Sequence, residues 1–415
     1  LGAFLISATA IDQDSFTGSD KQTNKAEETL FSNYLTKIRA NQSTQIVDQA
    51  DVLNAKNQAT AILKDSYMED FNWQFLGPNN VGGFTRALLY DNTDETSKTI
   101  IAGALTGGLY KSTNGGLTWN KINGVENNLN VSCIVQAADG TIYAGTGGLF
   151  TGSGIYKSTD GENFVLLPST DPHTSGGIEA FAQTNRLAVK DDGTLYASTD
   201  LGLWYSGDQG ATWNLARSND TEFMVGYSTD VNIGSNGIIA ASMNGLCYIS
   251  EAGNPNMFML HSSDTFNLPY EDVANLELAI APSNPDILYA TVLDDNDELI
   301  NIYRSDDKGV HWRIIGPGDS PSLDVTFKPE NNVISVFPSN PDRIFIGGNN
   351  QWEGTKLSET GYFQWVRKST GTTPPSFQPS YVHTWHFDYV FRPGNDLEFI
   401  VGHNGGISKG TVSGL

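Results

Sequence analysis

Along most of the chain, apolar residues come in short runs of five or six bounded by Gly, Asn, Asp or Ser, a strand and turn pattern rather than a helical one. One such run recurs seven times, as TIIAGA, TIYAGT, TLYAST, GIIAAS, ILYATV, RIFIGG and EFIVGH. Centred on Ile101, Tyr143, Tyr196, Ile239, Tyr289, Phe345 and Ile400, the copies stand 42, 53, 43, 50, 56 and 55 residues apart. A second apolar run precedes them, for example TRALLYD, SCIVQAA, RLAVKD, LELAIAP, VISVFP and YVFRP; a third strand, a turn and a strand opening on an aromatic follow. Each period therefore holds four antiparallel strands. Seven such units, closed radially, predict an all-β fold, a seven-bladed β-propeller over residues 71–415.

The last unit runs out at about Lys409 before a fourth strand, while FNWQFLGP at Phe71–Pro78 resembles the Trp-led fourth strands. The pattern predicts that this N-terminal strand closes the ring. From Ser19 to Lys64 Gly disappears, and Leu30, Tyr34, Leu35 and Ile38, then Val52, Ala55, Ala59, Ile62 and Leu63 after a cap at Asp48, fall at helical spacing. A short α-helical leader over residues 19–70 is expected, packed on the outside of the propeller because amphipathic helices must lay their stripe on something. A partly ordered leader is the alternative. Residues 1–18 open on LGAFLISATA, which ends in Ala8-x-Ala10 as a secretory signal does but has no basic start; a signal remnant and an extended segment both fit.

Composition narrows the function. The 415 residues carry 47 acidic and 24 basic side chains, a net charge of −23, with no Lys/Arg run, which excludes nucleic acid and anionic lipid as the main partners. No apolar run approaches the ~18 residues of a spanning helix, so no membrane insertion is expected. Cys133 and Cys247 sit inside apolar strands (VSCIVQ, GLCYIS) and predict buried free thiols rather than a disulfide scaffold.

The turns between third and fourth strands carry the most specific motif. KSTNGGLTW (Lys111–Trp119) and YSGDQGATW (Tyr205–Trp213) follow Ser/Thr-x-Asp-x-Gly-x-Thr-Trp, with Asn114 in the Asp place of the first. YRSDDKGVHW (Tyr303–Trp312) and KSTDGENF (Lys157–Phe164) are close variants, and KLSETGYFQW and YISEAGNPNMF are degenerate ones. Short polar side chains can hold turn amides, and the aromatic can pack between blades. Ser112, Asn114, Trp119, Asp208, Trp213, Asp306 and Trp312 are accordingly read as structural.

These turns are Asp boxes, and with WQFLGPNNVGGFTRALLYD, IIAGALTGGLYKSTNGGLTW and the leader YLTKIRANQSTQIVDQADVLNAK the chain resembles the exported Asp-box propellers of Bacteroidetes-type bacteria. That group is similar to the sortilin propeller and to two-propeller xyloglucan-active endoglucanases. The resemblance implies a secreted or cell-surface setting. It also permits a test of hydrolase chemistry: those endoglucanases place a catalytic Asp in a Thr-Asp-Ile-Gly-Gly stretch, and Leu105 stands there in Ala104-Leu105-Thr106-Gly107-Gly108, with no second propeller to supply another acid. The arginine triad and Phe-Arg-Ile-Pro motif of sialidases are not matched either.

Ligand residues are therefore sought on the long loops of the opposite rim. Trp352, Trp385 and Phe150 are aromatics in polar surroundings, suited to a sugar ring or a peptide, or to filling gaps between loops. His383 and His403 share the rim of the last blade. Together with His386 they form a minor candidate for a metal, although alternation along a strand keeps His383 and His386 from facing one way without a bulge. The acidic loop Asp294, Asp295, Asp297 and Glu298 is a solvated loop before it is a calcium site. No cofactor is expected. The reading is an exported propeller that binds a glycan or protein partner, or serves as a module of a cell-surface assembly, without catalysis. The alternative is a carbohydrate-active hydrolase using acids near the channel such as Asp388, Glu179 or Asp200.

Overall fold

The computed structural model describes residues 83–122, 130–148, 150–174, 177–316, 329–358, 360–369 and 381–412. Its strands form seven antiparallel sheets that follow one another in chain order, each an up-and-down meander whose first strand is innermost. The inner strands are Thr85–Tyr90, Val131–Gln136, Thr184–Val189, Ser228–Ile233, Val273–Ile280, Val333–Phe337 and His386–Arg392. Six sheets have four strands; the seventh has three among the described residues. The molecule is a seven-bladed β-propeller. The expected closing strand at 71–78, the helical leader at 19–70 and residues 1–18 lie outside the described residues.

The recurring apolar run is the second strand of every blade, and its lack of polar alternation has a direct cause. A strand in a propeller is covered on both faces by the neighbouring blades, so both sets of alternate side chains are buried. Ile100 and Ala102 pack with Ile400 of the last blade, while Ile101 between them packs with Val131 and Ile142 of the second. Seven apolar clusters result, each shared by two adjacent blades, and the seventh joins the last blade to the first through Leu88, Tyr90, Ile100, Ala102 and Ile400. At that junction a Cβ on Gly402 would stand 2.6 Å from the Thr85 carbonyl oxygen, so only Gly allows the two blades to approach. Cys133 and Cys247 are buried free thiols within these clusters.

Four of the third-to-fourth turns share one hydrogen-bond scheme. Ser206 Oγ donates to the Asp208 carboxylate and accepts from Gly210 N, and Thr212 N donates to Asp208, all at 2.8 Å. Ser112 with Asn114 and Ser158 with Asp160 repeat it. In the fifth blade the expected carboxylate is corrected by one residue: Asp307, not Asp306, accepts from Ser305 Oγ and His311 N. The scheme needs the acid two positions after Ser, and Asp306 is one position after; it pairs instead with Arg304 and Arg313. Trp213 and Trp312 are buried between blades two and three and blades four and five, and half-buried Trp119 packs at the closing junction.

Candidate functional site at the mouth of the central channel

The starts of the inner strands and the loops between second and third strands meet at one end of the ring, opposite the Ser–Asp turns. There the inner strands share an irregularity. In six of seven, one extra residue interrupts the pairing with the second strand, at Arg86, Ser132, Asn185, Thr229, Ala274 and Phe387. A bulge of this kind re-aims a side chain. Five of these six residues line a narrow recess at the channel mouth, together with Arg186, Tyr227, Glu277, Glu330 and Asn332. Every blade contributes.

The bulged residues also stitch the ring. Ser132 Oγ donates to the Thr184 carbonyl at 2.5 Å, and Asn185 Nδ2 donates to the Ser228 carbonyl at 2.8 Å and to Asp200 Oδ1 at 2.9 Å. Asn332 Nδ2 donates to Asn275 Oδ1 at 2.6 Å. Below them, Arg186 of the third blade reaches along the channel wall to Asp230 of the fourth at 3.1 Å and Glu277 of the fifth at 3.2 Å. Asp230 also accepts from Leu278 N at 2.9 Å, and Asp388 accepts from Leu88 N at 2.9 Å, tying blade four to five and seven to one. Burial works against the Arg186 charge, but Asp230, Glu277 and Asp388 outweigh it and hold the guanidinium protonated. Burial, then the Asp230 charge, pushes the Glu277 carboxyl well above the usual range against the opposing charges of Arg186 and Arg86, and burial raises Asp388. At the rim, burial raises Asp200 as well.

Arg86 differs from Arg186: among the described residues it forms no ion pair. It extends along the loop that follows the second blade's second strand, where Gly148 has φ +97° and a Cβ would stand 3.0 Å from Arg86 Nη1 and from Leu105 Cδ1. Leu105, at the position where the resemblance sets a catalytic Asp, is buried beside this guanidinium.

The residues expected from sequence are dispersed over this face. Asp200 lies beside the mouth on Asn185, Asp388 faces the channel wall, and Glu179 is exposed in a short 3-10 turn apart from the recess. Trp352 packs on the core between blades five and six rather than standing free on the rim, which fits the gap-filling alternative. Half-buried Phe150 offers its carbonyl to Gln183 Nε2 at 3.4 Å. Trp385 takes φ +63°, and its carbonyl accepts from Asn404 N at 3.0 Å.

The three imidazoles do meet. His383 precedes the strand and stacks on His403 with centroids 6.1 Å apart, and His386 lies 6.3 Å from His403. Their nitrogens do not converge: His386 Nδ1 bonds the Tyr389 hydroxyl at 2.7 Å, and His403 Nε2 bonds Ser408 Oγ at 2.8 Å. Among the described residues no group of three His, Cys, Asp or Glu side chains is placed to hold a metal, the set His383, His386 and His403 included. The bulge in this strand falls after His386, between His386 and Asp388, and it is Phe387 that lines the mouth. Burial lowers His386 to about 3 and His403 to about 4, aided by the neighbouring imidazoles.

Arg86, Arg186, Asp230 and Glu277 belong to this candidate site, and the sequence pattern does not single them out. Their one signal is a charged residue inside an otherwise apolar inner strand, as in TRALLYD, RLAVKD and LELAIAP.

No family model matches the chain, and no curated protein matches it. Solved structures do match in fold. An ancestral GH74 enzyme superposes with TM-score 0.60 at 17% identity over 83% of this chain and 46% of the enzyme. YCF48 bound to D1 peptide gives 0.54 at 15% identity over 81% of this chain and 95% of that one. The extracellular domain of a hybrid two-component system from B. thetaiotaomicron gives 0.58 at 12% identity over 83% and 40%. The chain spans about half the length of the GH74 enzyme. Its neighbours thus include an enzyme, a peptide-bound propeller and an extracellular domain, and the likeness is one of fold. Among the described residues no helix is long and apolar enough to cross a membrane.

Proposed function

We propose that this propeller is a non-catalytic binding module that holds a glycan or protein partner on the rim around the channel mouth, in a secreted or cell-surface setting. The observation that carries this reading is the division of labour among its charges. The channel carboxylates are engaged in holding the ring together, whereas Arg86 extends into the recess and forms no ion pair among the described residues. An acid catalyst needs a proton to give and an unencumbered path to the substrate. Asp388 is bonded to Leu88 N, and Glu277 to Arg186.

One arrangement favours the hydrolase alternative: Asp200 and Glu277, on different blades, both border the mouth with raised proton affinity. A glycan array and a peptide library, each followed by product analysis, separate the two. Binding without new products, weakened by Arg86→Ala and kept in Asp200→Asn, is expected. Turnover of a polysaccharide that Asp200→Asn abolishes would overturn the binding reading. Within the same proposal, residues 71–78 supply the missing outer strand and residues 19–70 a leader packed on the ring; deleting residues 1–70 should leave a folded propeller, and deleting 1–80 should not.

A further inference from the structure

We infer that the channel mouth is a receptor for the C-terminal carboxylate of an apolar-ended peptide, with Arg86 as the anion-binding residue and Leu201, Val225 and Tyr227 as the lip that takes the adjoining side chains. The inference rests on the binding reading above and names the ligand class for that site.

Four observations support it. Arg86 occupies a bulge, so its side chain is turned out of the strand pairing and into the recess. It runs beside a loop held in place by its own bonds: Gly147 N donates to the Asn130 carbonyl and Gly148 N to Gln183 Oε1, and Gly148, at φ +97°, has a conformation that favours glycine, with the position of a Cβ 3.0 Å from Arg86 Nη1. Guanidinium offers a planar, bidentate fork that matches a carboxylate, and no carboxylate within ion-pair distance uses it among the described residues. Asp200 is held by Asn185 and Glu277 by Arg186, although Arg86 acts on both electrostatically, which places it at the same opening.

The apolar lip joins that opening through Tyr227, which lines the recess. Leu201, Val225 and Tyr227 are 48%, 58% and 42% exposed. Leu201 directly follows Asp200, and Leu203 N donates to the Met224 carbonyl at 3.1 Å, joining the third blade's loop to the segment that enters the fourth. Tyr227 then lines the recess, fixed by Asn244 Oδ1, which accepts from Tyr227 N at 2.9 Å. Aliphatic side chains beside a cation suit the end of a polypeptide better than a sugar, whose hydroxyls would leave Leu201 and Val225 unmatched. Trp352, one of the rim aromatics suited to stacking on a sugar, packs partly buried against the core between blades five and six. Asn275 Nδ2, a buried donor behind Asn332 at the mouth, has no hydrogen-bond partner among the described residues and offers a second donor once a polar group enters.

The test uses the full chain and fluorescence anisotropy with a labelled Gly-Ser-Gly-Leu-Leu peptide, as the free acid and as the C-terminal amide. The acid should bind at least about tenfold more tightly than the amide, as loss of a charge-assisted bidentate pair implies. Arg86→Ala should erase the difference, Arg86→Lys restore part of it, and Tyr227→Ala weaken both forms alike; melting curves establish that each variant is folded. Equal binding of acid and amide, or discrimination that survives in Arg86→Ala, overturns the carboxylate receptor. If neither peptide binds but a xyloglucan oligosaccharide does, the peptide class is wrong while the rim remains a binding site. If neither kind of probe binds, both readings fall.

Discussion

The two ends of the ring meet the same need, holding polar groups inside a closed β structure, by opposite means. At the turn end each device is local: Ser206, Asp208, Gly210 and Thr212 satisfy one another within seven residues, and three other blades repeat the arrangement. At the mouth the partners lie 44, 91 and 300 residues apart, in the bonds of Arg186 with Asp230, Arg186 with Glu277, and Leu88 with Asp388. A local device can be duplicated together with its blade. A pair between blades cannot, because each member must complement a different blade, and this end is correspondingly irregular and able to carry specificity. Proton affinities follow the same division. Hydrogen bonds from Thr212 and Ser206 lower Asp208 to about 2, whereas burial raises Glu277 and Asp388.

If this contrast is real, mutations at the mouth should be costly and coupled, and those at the turns mild and independent. Arg186→Ala strands two buried carboxylates and should destabilise by about 3–5 kcal/mol; a urea titration measures it, and adding Glu277→Gln should recover part of the loss. Full additivity of that pair would contradict the contrast. Asp388→Ala leaves Leu88 N without its acceptor at the closing junction and should cost about 1–3 kcal/mol, with unfolding accelerated. Asp208→Ala and Asp307→Ala should each cost about 1 kcal/mol and add within about 0.5 kcal/mol, since they share no partner.

The contrast also extends to pH. His386 and His403 titrate at about 3 and about 4 in the folded chain, against ~6.5 unfolded. The unfolded chain therefore holds more protons in that interval, and stability rises with pH through it. The urea midpoint should fall as pH drops below about 6.5, and His403→Gln should lessen the fall. Asp208 contributes in a separate window: its folded value is depressed, so its share is present above about 4 and is lost toward about 2. A single acid transition with no histidine dependence would contradict this separation.

The features legible in the chain alone are those governed by short-range rules. The second strands stand out because Ile100, Ile101 and Ala102 are all buried, which only a strand covered on both faces requires. The turns stand out through residue offsets, and the one error there, Asp306 for Asp307, is an error of counting along that offset. Asp388 and Asp200 are recognisable as acids near the channel, yet nothing in HFDYVF says that its carboxylate will receive an amide from Leu88. The bulges at Arg86 and Phe387 are equally hidden, because a bulge is a mismatch between two strands and neither strand's sequence contains it.

Blade number, strand order and turn chemistry are written in the chain, since each depends on residues a few positions apart and on burial that repeats with the blade. Three further outcomes were settled only by folding: which charges pair between blades, which inner-strand residues leave the pairing to line the channel mouth, and that Arg86 stands there without an ion pair among the described residues. They depend on closure of the ring, which brings Leu88 against Asp388 and leaves one end patterned by local bonds and the other by long-range ones.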